Sequence, residues 1–317
     1  MPATSLQIRV AAELAAIAYT DERDDVVNPA KQKANVASAL ALLYPQIGGP
    51  WRLVWGPAGN QGVLAYVALS SDRKTYVLAF RGSLSLVDMK GFFKNWVCNV
   101  DTFQQLPWAY PAGGEVKISA GMHTALGLAV GLTDPVTHAN LQQFLGGLAA
   151  HGPLELLVAG HSLGGALAQL AATWLDYELN APGHANAVTI TPLTFAAPTT
   201  ANQQFADLYA KKFPNAYACV NTLDVVPMAW ENLDGIQRSY PKPGQTLTEW
   251  GVGYDLIVAA NKDALGVAYR PVGGTVDSFS GWMPSQTASF GQIALVNHDI
   301  DTYLDHVRVE TYPELHA

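Results

Sequence analysis

The chain has 317 residues and a formal net charge of −8, and 49% of its residues are apolar while 14% are charged. This acidic balance argues against a nucleic-acid partner, because phosphate backbones are bound by basic surfaces. The apolar content is sufficient for a large core, and α/β folds of this length often form one unit. We therefore expect a single domain over residues 1–317 that acts on small neutral or apolar molecules.

The N-terminal part of the chain predicts two helices. Apolar residues such as Leu6 and Val10 recur at helical spacing over residues 5–19, and a second helix is expected over residues 31–43. Glu13 interrupts the first apolar run, so this segment lacks the pattern of a signal peptide. No stretch of the sequence reaches the about 18 apolar residues of a membrane span. The location in the cell stays open between the cytoplasm and a mature secreted form.

The middle of the chain alternates short apolar runs with longer segments rich in alanine and leucine. The short runs, bounded by turn residues, predict buried strands, and the longer segments predict helices. The expected strands cover residues 62–70, 75–80, 154–159, 188–195 and 216–221, and the expected helices lie within residues 163–180, 201–212 and 300–308. This alternation indicates an α/β fold with a mostly parallel sheet covered by helices.

Two regions are less regular. Asp134-Pro135 predicts the start of a helix, because aspartate caps helices and proline fits the first turn, although the helix could already begin near Met122. Residues 230–290 are rich in Gly, Pro, Trp and Tyr. They predict a decorated loop or cap region with one helix near residues 254–264.

A Gly-x-Ser-x-Gly pattern at residues 160–164 follows a predicted strand and precedes a predicted helix. This is the arrangement of a nucleophile elbow, in which the serine sits on a strained turn. Such a turn needs small residues two positions before and after the serine, which Gly160 and Gly164 provide. Ser162 is therefore the candidate nucleophile, unless it is an incidental serine on a tight turn. The neighbouring His161 is expected to pack against the elbow or to buttress it.

A serine nucleophile needs a histidine base, and the base needs an orienting carboxylate. Downstream of an elbow the acid precedes the histidine, which leaves His298, His306 and His316 among the eight histidines. His298 follows a strand-like run at residues 293–296 and should lie at the carboxyl edge of the sheet, where catalytic groups project. His306 falls in the last helix and His316 in a terminal tail. His298 is therefore the candidate base, and capping of the last helix is its alternative role.

The acid is expected where the predicted strand at residues 216–221 ends. Asp224 follows that strand, and Pro227 then turns the chain away. This position makes Asp224 the candidate acid, although aspartate is also common in ordinary turns. Asp234 and Asp255, both in the less regular region, are the alternatives.

Acyl transfer creates an oxyanion that preorganised donors must stabilise. One donor is expected from the backbone N–H of Leu163, directly after the nucleophile. A second is expected from Ser83, which follows the predicted strand at residues 75–80, unless Ser83 only belongs to a polar turn. Beyond it, apolar residues fall near one helical face over residues 84–97. That segment predicts either a lid with an apolar underside or a helix that packs in the core.

The two cysteines, Cys98 and Cys219, both lie in apolar stretches. One disulfide between them could form, but buried free thiols are favoured. Neither cysteine shows the Cys/His spacing of a metal site. The cysteines therefore give no indication of a metal site, and no motif of the sequence indicates another cofactor.

Taken together, these motifs resemble the class 3 (fungal-type) triacylglycerol lipases over about residues 60–305. The motifs that carry the resemblance are Phe80-Arg81-Gly82-Ser83, Asn95-Trp96, Gly121-Met122-His123, Gly160-His161-Ser162-Leu163-Gly164-Gly165, Asn221 to Pro227, and His298 followed by Tyr303. The resemblance implies an α/β-hydrolase fold, a Ser162–Asp224–His298 triad and metal-independent hydrolysis of acylglycerols or similar esters. Residues 85–94 depart from the family as an insertion before Asn95-Trp96, at the place where substrates would enter.

The resulting hypothesis is a serine carboxylester hydrolase, and specifically a triacylglycerol lipase that forms an acyl-enzyme on Ser162. Its partners would be small ester or lipid substrates, met at a lipid–water interface. Other esterases of the same fold, such as phospholipases, feruloyl esterases or polyester hydrolases, would share every catalytic residue. A non-catalytic binding protein of this fold is the remaining alternative.

Overall fold

The computed structural model describes residues 2–20, 29–42, 45–83, 104–112, 114–181, 188–232, 268–283 and 290–309. Several sequence predictions lie outside these residues. They are the lid at residues 84–97, the helix near residues 254–264, most of the region 230–290, and the side chains Cys98, Asp234, Asp255 and His316.

The strands of the described chain form one large sheet and one small one. They are β1 (Trp51–Asn60), β2 (Val63–Ser70), β3 (Thr75–Phe80), β4 (Gln105–Pro107), β5 (Lys117–Ser119), β6 (Leu154–His161), β7 (Val188–Phe195), β8 (Tyr217–Asn221) and β9 (Thr275–Phe279). The large sheet has seven strands in the order β1-β2-β3-β6-β7-β8-β9. β1, β2 and β3 pair antiparallel, whereas β3, β6, β7, β8 and β9 are parallel. β4 and β5 pair antiparallel beside it.

Helices flank both faces of the large sheet. They are α1 (Ser5–Ile17), α2 (Pro29–Ala41), α3 (Ala120–Val130), α4 (Leu141–Ala149), α5 (Leu163–Leu179), α6 (Gln203–Lys212), α7 (Val225–Met228), α8 (Phe290–His298) and α9 (Ile300–Val307). None of the helices described is long and apolar enough to cross a bilayer.

Two hydrophobic cores lie on the two faces of the sheet. In β6, Leu156 and Val158 pack into the core shared with α3, α4, α5 and α6, whereas Leu157 and Ala159 pack into the core shared with α1, α2 and α9. A strand covered on both faces needs apolar side chains at successive positions. This is why β3 and β6 appear in the sequence as continuous apolar runs. The sheet is mostly parallel, as predicted.

The predicted strands and most predicted helices are confirmed, with shifts of their ends. The prediction of a helix beginning at Asp134-Pro135 was wrong, because the carboxylate of Asp134 caps a turn instead. It accepts hydrogen bonds from the backbone N–H groups of Val136, Thr137 and Gly56 at 2.9, 2.7 and 2.8 Å. The earlier start near Met122 is the correct one, since α3 already begins at Ala120.

Glu13 is an unusual member of the second core. Its side chain is 0% exposed, and no hydrogen-bond partner for either carboxylate oxygen occurs among the described residues. Burial, and secondarily the charge of Asp301 on α9, raise the pKa of Glu13 from 4.5 to about 7. An ionised carboxylate is disfavoured in such a place because it loses its hydration. The packing of α1 on α9 is therefore expected to depend on pH.

We expect the fold to lose stability as the pH rises from about 4.5 to about 7, because the carboxyl of Glu13 must then ionise in the folded state. Below the pKa of Glu13 in the unfolded chain, the carboxyl is protonated in both states and stability is at its full value. Above its pKa in the folded chain, the free energy of unfolding is lower by about 3 kcal/mol. Glu13→Gln should remove this loss, so the variant should match the parent near pH 4.5 and exceed it at pH 8. Urea unfolding at both pH values measures this, and Glu115→Gln, at an exposed site, is the control. A stability difference that does not change with pH would contradict the prediction.

Candidate active site

Ser162 lies on the sharp turn between β6 and α5. Its backbone has φ 58° and ψ −130°, a strained conformation for a residue with a side chain. The flanking glycines make this turn possible. A Cβ atom on Gly160 would lie 2.1 Å from the carbonyl oxygen of Gly164, and one on Gly164 would lie 2.4 Å from that of Phe80. The strand–turn–helix context predicted for the elbow is therefore present.

A row of hydrogen bonds connects three side chains that are distant in the sequence. His298 Nε2 lies 2.8 Å from Ser162 Oγ, and His298 Nδ1 lies 2.7 Å from Asp224 Oδ2. All three residues are at least 97% buried. The structure thus brings together the predicted nucleophile, base and acid in the order that proton transfer from the serine to the histidine requires.

Asp224 follows the end of β8 and caps α7. Its Oδ1 accepts a hydrogen bond from the backbone N–H of Val226 at 2.8 Å, and its Oδ2 accepts one from the hydroxyl of Tyr303 at 2.7 Å. Burial, followed by the nearby carboxylate, raises the pKa of Tyr303, so the phenol stays protonated and remains a donor. These bonds hold the carboxylate in one orientation towards His298.

His298 is the last residue of α8, so the prediction that a strand precedes it was wrong. The four apolar residues before it continue the apolar pattern of a helix that begins at Phe290, and a run of four cannot distinguish the two structures. Asn297 fixes this helix end to the acid loop. The side-chain N–H of Asn221 donates to the backbone and side-chain oxygens of Asn297 at 3.0 and 2.9 Å.

His161 packs between the candidate base and Tyr19. Its ring centroid lies 4.9 Å from that of His298 and 5.9 Å from that of Tyr19. Burial, and secondarily His298, hold the pKa of His161 well below its usual value, so the ring is neutral. Its Nδ1 lies 3.0 Å from the Tyr19 hydroxyl. The expected packing role of His161 thus agrees with its contacts.

The two predicted oxyanion donors follow the carboxyl ends of two neighbouring parallel strands, β3 and β6. Leu163 is the first residue of α5, and Ser83 follows β3, whose Phe80 pairs with Gly160 of β6. Gly82 marks how close the two segments are, because a Cβ atom on it would lie 3.0 Å from the Cβ of Ser162. Both donors therefore lie next to the nucleophile, and their role in catalysis stays a prediction.

Tyr19 connects the N-terminal helix α1 to the loop that follows β3. It lies just beyond α1, and its hydroxyl accepts a hydrogen bond from the backbone N–H of Gly82 at 3.1 Å. A Cβ atom on Gly82 would lie 2.1 Å from that hydroxyl, so the contact requires glycine. Sequence reasoning missed both Tyr19 and Asn297. Tyr19 gives no local signal, whereas the polar Asn297 beside His298 in an apolar run could have been noticed.

We expect Tyr19→Phe to lower kcat about tenfold, because the backbone before Ser83 loses a bond that fixes it beside Ser162. Tyr66→Phe is the matched control, since the buried Tyr66 donates a comparable bond to the carbonyl of Leu14, away from the site. Both variants should lose similar stability. Ester hydrolysis and thermal unfolding measure the two effects, and equal kcat values for both variants would contradict a positioning role.

Other candidates lie apart from this row. His306 Nε2 contacts Asp277 Oδ2 at 3.0 Å and not Asp224. Among the residues that the structure describes, one group of three potential metal ligands occurs, at Cys219, Asp277 and His306, and it shares no member with the Ser162 row. Cys219 is a buried free thiol, as predicted.

Comparison with known proteins covers the part of this site that holds the elbow and Asp224, whereas His298 lies outside the matched segment. Residues 77–232 match the family model described as lipase (class 3). Phospholipase A1-Igamma2, chloroplastic, of Arabidopsis thaliana is 28% identical over an alignment of 201 residues that covers 56% of this chain and 36% of that protein. Secreted mono- and diacylglycerol lipase 1 of Fusarium solani is 26% identical over 182 residues, which are 57% of this chain and 47% of that protein. The chain thus spans less than half the length of these relatives.

Two solved structures show the same fold. M37 lipase has a TM-score of 0.83 at 20% identity, covering 99% of this chain and 96% of its own. A triacylglycerol lipase from Penicillium expansum has a TM-score of 0.52 at 19% identity, covering 92% of this chain and 84% of its own. The fold is therefore that of the α/β-hydrolases, as the resemblance implied. The matched segment contains the end of β3, the elbow and Asp224. Over residues 77–232, just under half of its length, the chain is therefore similar to the class 3 lipases.

Proposed function

We propose that this protein is a serine carboxylester hydrolase, and specifically a triacylglycerol lipase that works through an acyl-enzyme on Ser162. The observation that supports this most strongly is the buried hydrogen-bonded row from Ser162 Oγ through His298 to Asp224. A serine hydroxyl is a weak nucleophile unless an oriented base removes its proton during attack. The elbow presents the hydroxyl, and the row supplies the base and its orientation.

In the first half of the reaction, His298 Nε2 takes the proton of Ser162 as Oγ attacks the ester carbonyl carbon. The resulting imidazolium stays paired with Asp224 through Nδ1. The carbonyl oxygen becomes an oxyanion, and the backbone N–H groups of Leu163 and Ser83 stabilise it. The C–O bond to the alcohol then breaks, and His298 donates its proton to the departing oxygen.

In the second half, water takes the place of the alcohol. His298 removes a proton from that water, which attacks the acyl carbonyl, and the same donors stabilise the second oxyanion. The Ser162–acyl bond breaks, the acid leaves and Oγ regains its proton. His161 and Tyr303 do not exchange protons in this scheme. The lowered pKa of His161 keeps its ring neutral, and the raised pKa of Tyr303 keeps its hydroxyl protonated.

The substrate class is proposed on chemical grounds. The two curated relatives are named for phospholipids and for mono- and diacylglycerols, which share an acyl ester of glycerol. This chain is proposed to hydrolyse the same bond, with triacylglycerol as the preferred substrate and a lipid–water interface as the place of action. Phospholipase, feruloyl esterase and polyester hydrolase activities would use the same catalytic residues.

A panel of substrates tests this proposal. Emulsified triacylglycerols from short to long acyl chains, phospholipid vesicles, a feruloyl ester and a polyester film are compared with a soluble p-nitrophenyl ester at equal enzyme concentration. We expect the highest turnover on emulsified triacylglycerol, above the rate on the same ester below its solubility limit. Highest turnover on phospholipid would replace the lipase assignment with a phospholipase. If no ester is hydrolysed and a fluorophosphonate labels no residue, the protein is a non-catalytic binding protein of this fold and the proposal is wrong.

A further inference from the structure

A second cluster of reactive side chains lies on the face of the sheet that α9 covers. Cys219 of β8 and Asp277 of β9 are register partners in the parallel pairing, so their side chains are adjacent on one face. β9 is the last strand in the order of the large sheet. The third member, His306, comes from α9. Three separate elements therefore bring a thiol, a carboxylate and an imidazole to one place.

The ligand atoms of these residues are close and oriented. The sulfur of Cys219, a carboxylate oxygen of Asp277 and a ring nitrogen of His306 lie within 4.8 Å of one another. His306 Nε2 is 3.0 Å from Asp277 Oδ2, which also accepts a hydrogen bond from the Tyr217 hydroxyl at 2.6 Å. Phe279 stacks on the His306 ring with centroids 4.0 Å apart and planes 9° apart. The imidazole and the carboxylate are thus held by neighbours that are not themselves ligands, as in metal sites.

We propose that Cys219, Asp277 and His306 bind one Zn²⁺ ion, with water in the fourth position. A thiolate, an imidazole and a carboxylate form a donor set that suits tetrahedral Zn²⁺. The distances around such an ion place neighbouring ligand atoms about 3.3–3.7 Å apart. The His306 nitrogen and the Asp277 oxygen, 3.0 Å apart, already lie near that separation, and the Cys219 sulfur lies within 4.8 Å of the ligand atoms of both residues.

The cluster is also accessible to an ion. Cys219 is 1% exposed, whereas the side chains of Asp277 and His306 are 39% and 27% exposed, so one side of the cluster faces solvent. On binding, the thiol releases its proton to solvent and the sulfur, nitrogen and oxygen each donate an electron pair to the ion. The ion would join α9 to β8 and β9. None of the three proposed ligands belongs to the hydrogen-bonded row of Ser162, His298 and Asp224. Zinc binding can therefore be tested whether or not the chain hydrolyses esters.

Metal content provides the first test. The full chain, without a histidine tag, is stripped with a chelator and dialysed against Zn²⁺ at buffered concentrations near neutral pH. We expect one tightly bound Zn²⁺ per chain, and binding weakened by roughly tenfold or more in Cys219→Ser and in Asp277→Asn. Both replacements preserve side-chain shape, so the packing of α9 should survive. His151→Gln, in the turn before β6, should bind Zn²⁺ like the parent.

Cobalt provides a second measurement that does not depend on the folding of these variants. Co²⁺ is bound to a Cys98→Ser chain, so that Cys219 is the only thiol present. We expect a thiolate-to-cobalt band in the near ultraviolet together with the visible bands of tetrahedral Co²⁺. Absence of bound Zn²⁺, uptake that is unchanged in both ligand variants, or a cobalt complex without the thiolate band would each overturn the proposal.

Discussion

Ser162→Ala is expected to lower kcat for a soluble p-nitrophenyl ester by about 10⁵- to 10⁶-fold, which places it near the background rate. The loss is large because the remaining His298–Asp224 pair has no hydroxyl to activate. Little else should change. The strained turn is held by the glycines beside it and by the bond from the Ser162 N–H to the carbonyl of Phe195 at 2.9 Å, and neither involves the serine hydroxyl.

Initial-rate assays at high enzyme concentration measure this loss, and thermal unfolding checks that the variant is folded. A fluorophosphonate probe should label the parent protein and leave Ser162→Ala unlabelled. Activity above a few per cent of the parent, in a preparation free of contaminating esterase, would mean that another group is the nucleophile.

Asp224→Asn is expected to lower kcat by about 10⁴-fold with little change in KM, because it gives His298 the wrong tautomer. The structure fixes how the new amide must lie. Oδ1 accepts the N–H of Val226, so the amide oxygen takes that position and the amide nitrogen takes the position of Oδ2. That nitrogen then donates to His298 Nδ1, which leaves the proton on Nε2. A protonated Nε2 cannot remove the proton of Ser162.

Two variants separate this effect from a general loss of charge or packing. Asp176→Asn removes a carboxylate on α5 that pairs with Lys212, and it should retain the parent kcat. Tyr303→Phe removes one hydrogen bond to Asp224 but leaves the carboxylate charged, so its loss should be much smaller than that of Asp224→Asn. A decrease of less than tenfold in a folded Asp224→Asn variant would exclude Asp224 as the orienting acid.

The sequence predicted the features whose cause is local. β6 is apolar at the successive positions 156–159 because both faces of the sheet are covered there, and this pattern can be read from the sequence alone. The elbow likewise depends on two glycines within five residues. Chain order then limited the choice of acid and base, and the structure brings Asp224 and His298 to Ser162.

Features that depend on distant contacts could not be predicted in this way. β1 has glycine and proline within it, and its pairing with β2 shows register shifts, so it lacks the pattern of a regular strand. β9 is polar at three of its five positions, and it pairs along the edge of β8. Tyr19 reaches Gly82 from 63 positions away, and nothing near it in the sequence marks that contact.

The contact between α1 and α9 has a consequence for the order in which the protein becomes active during synthesis. Tyr19 follows α1, whereas His298 ends α8 and Tyr303 lies in α9. The rings of Tyr19, His298 and Tyr303 all pack against that of His161. The elbow and the acid are made well before the base. If Ser162 and His298 act as proposed, a nascent chain presents the serine before its base exists. We expect hydrolytic activity only after α9 has left the ribosome and packed onto α1.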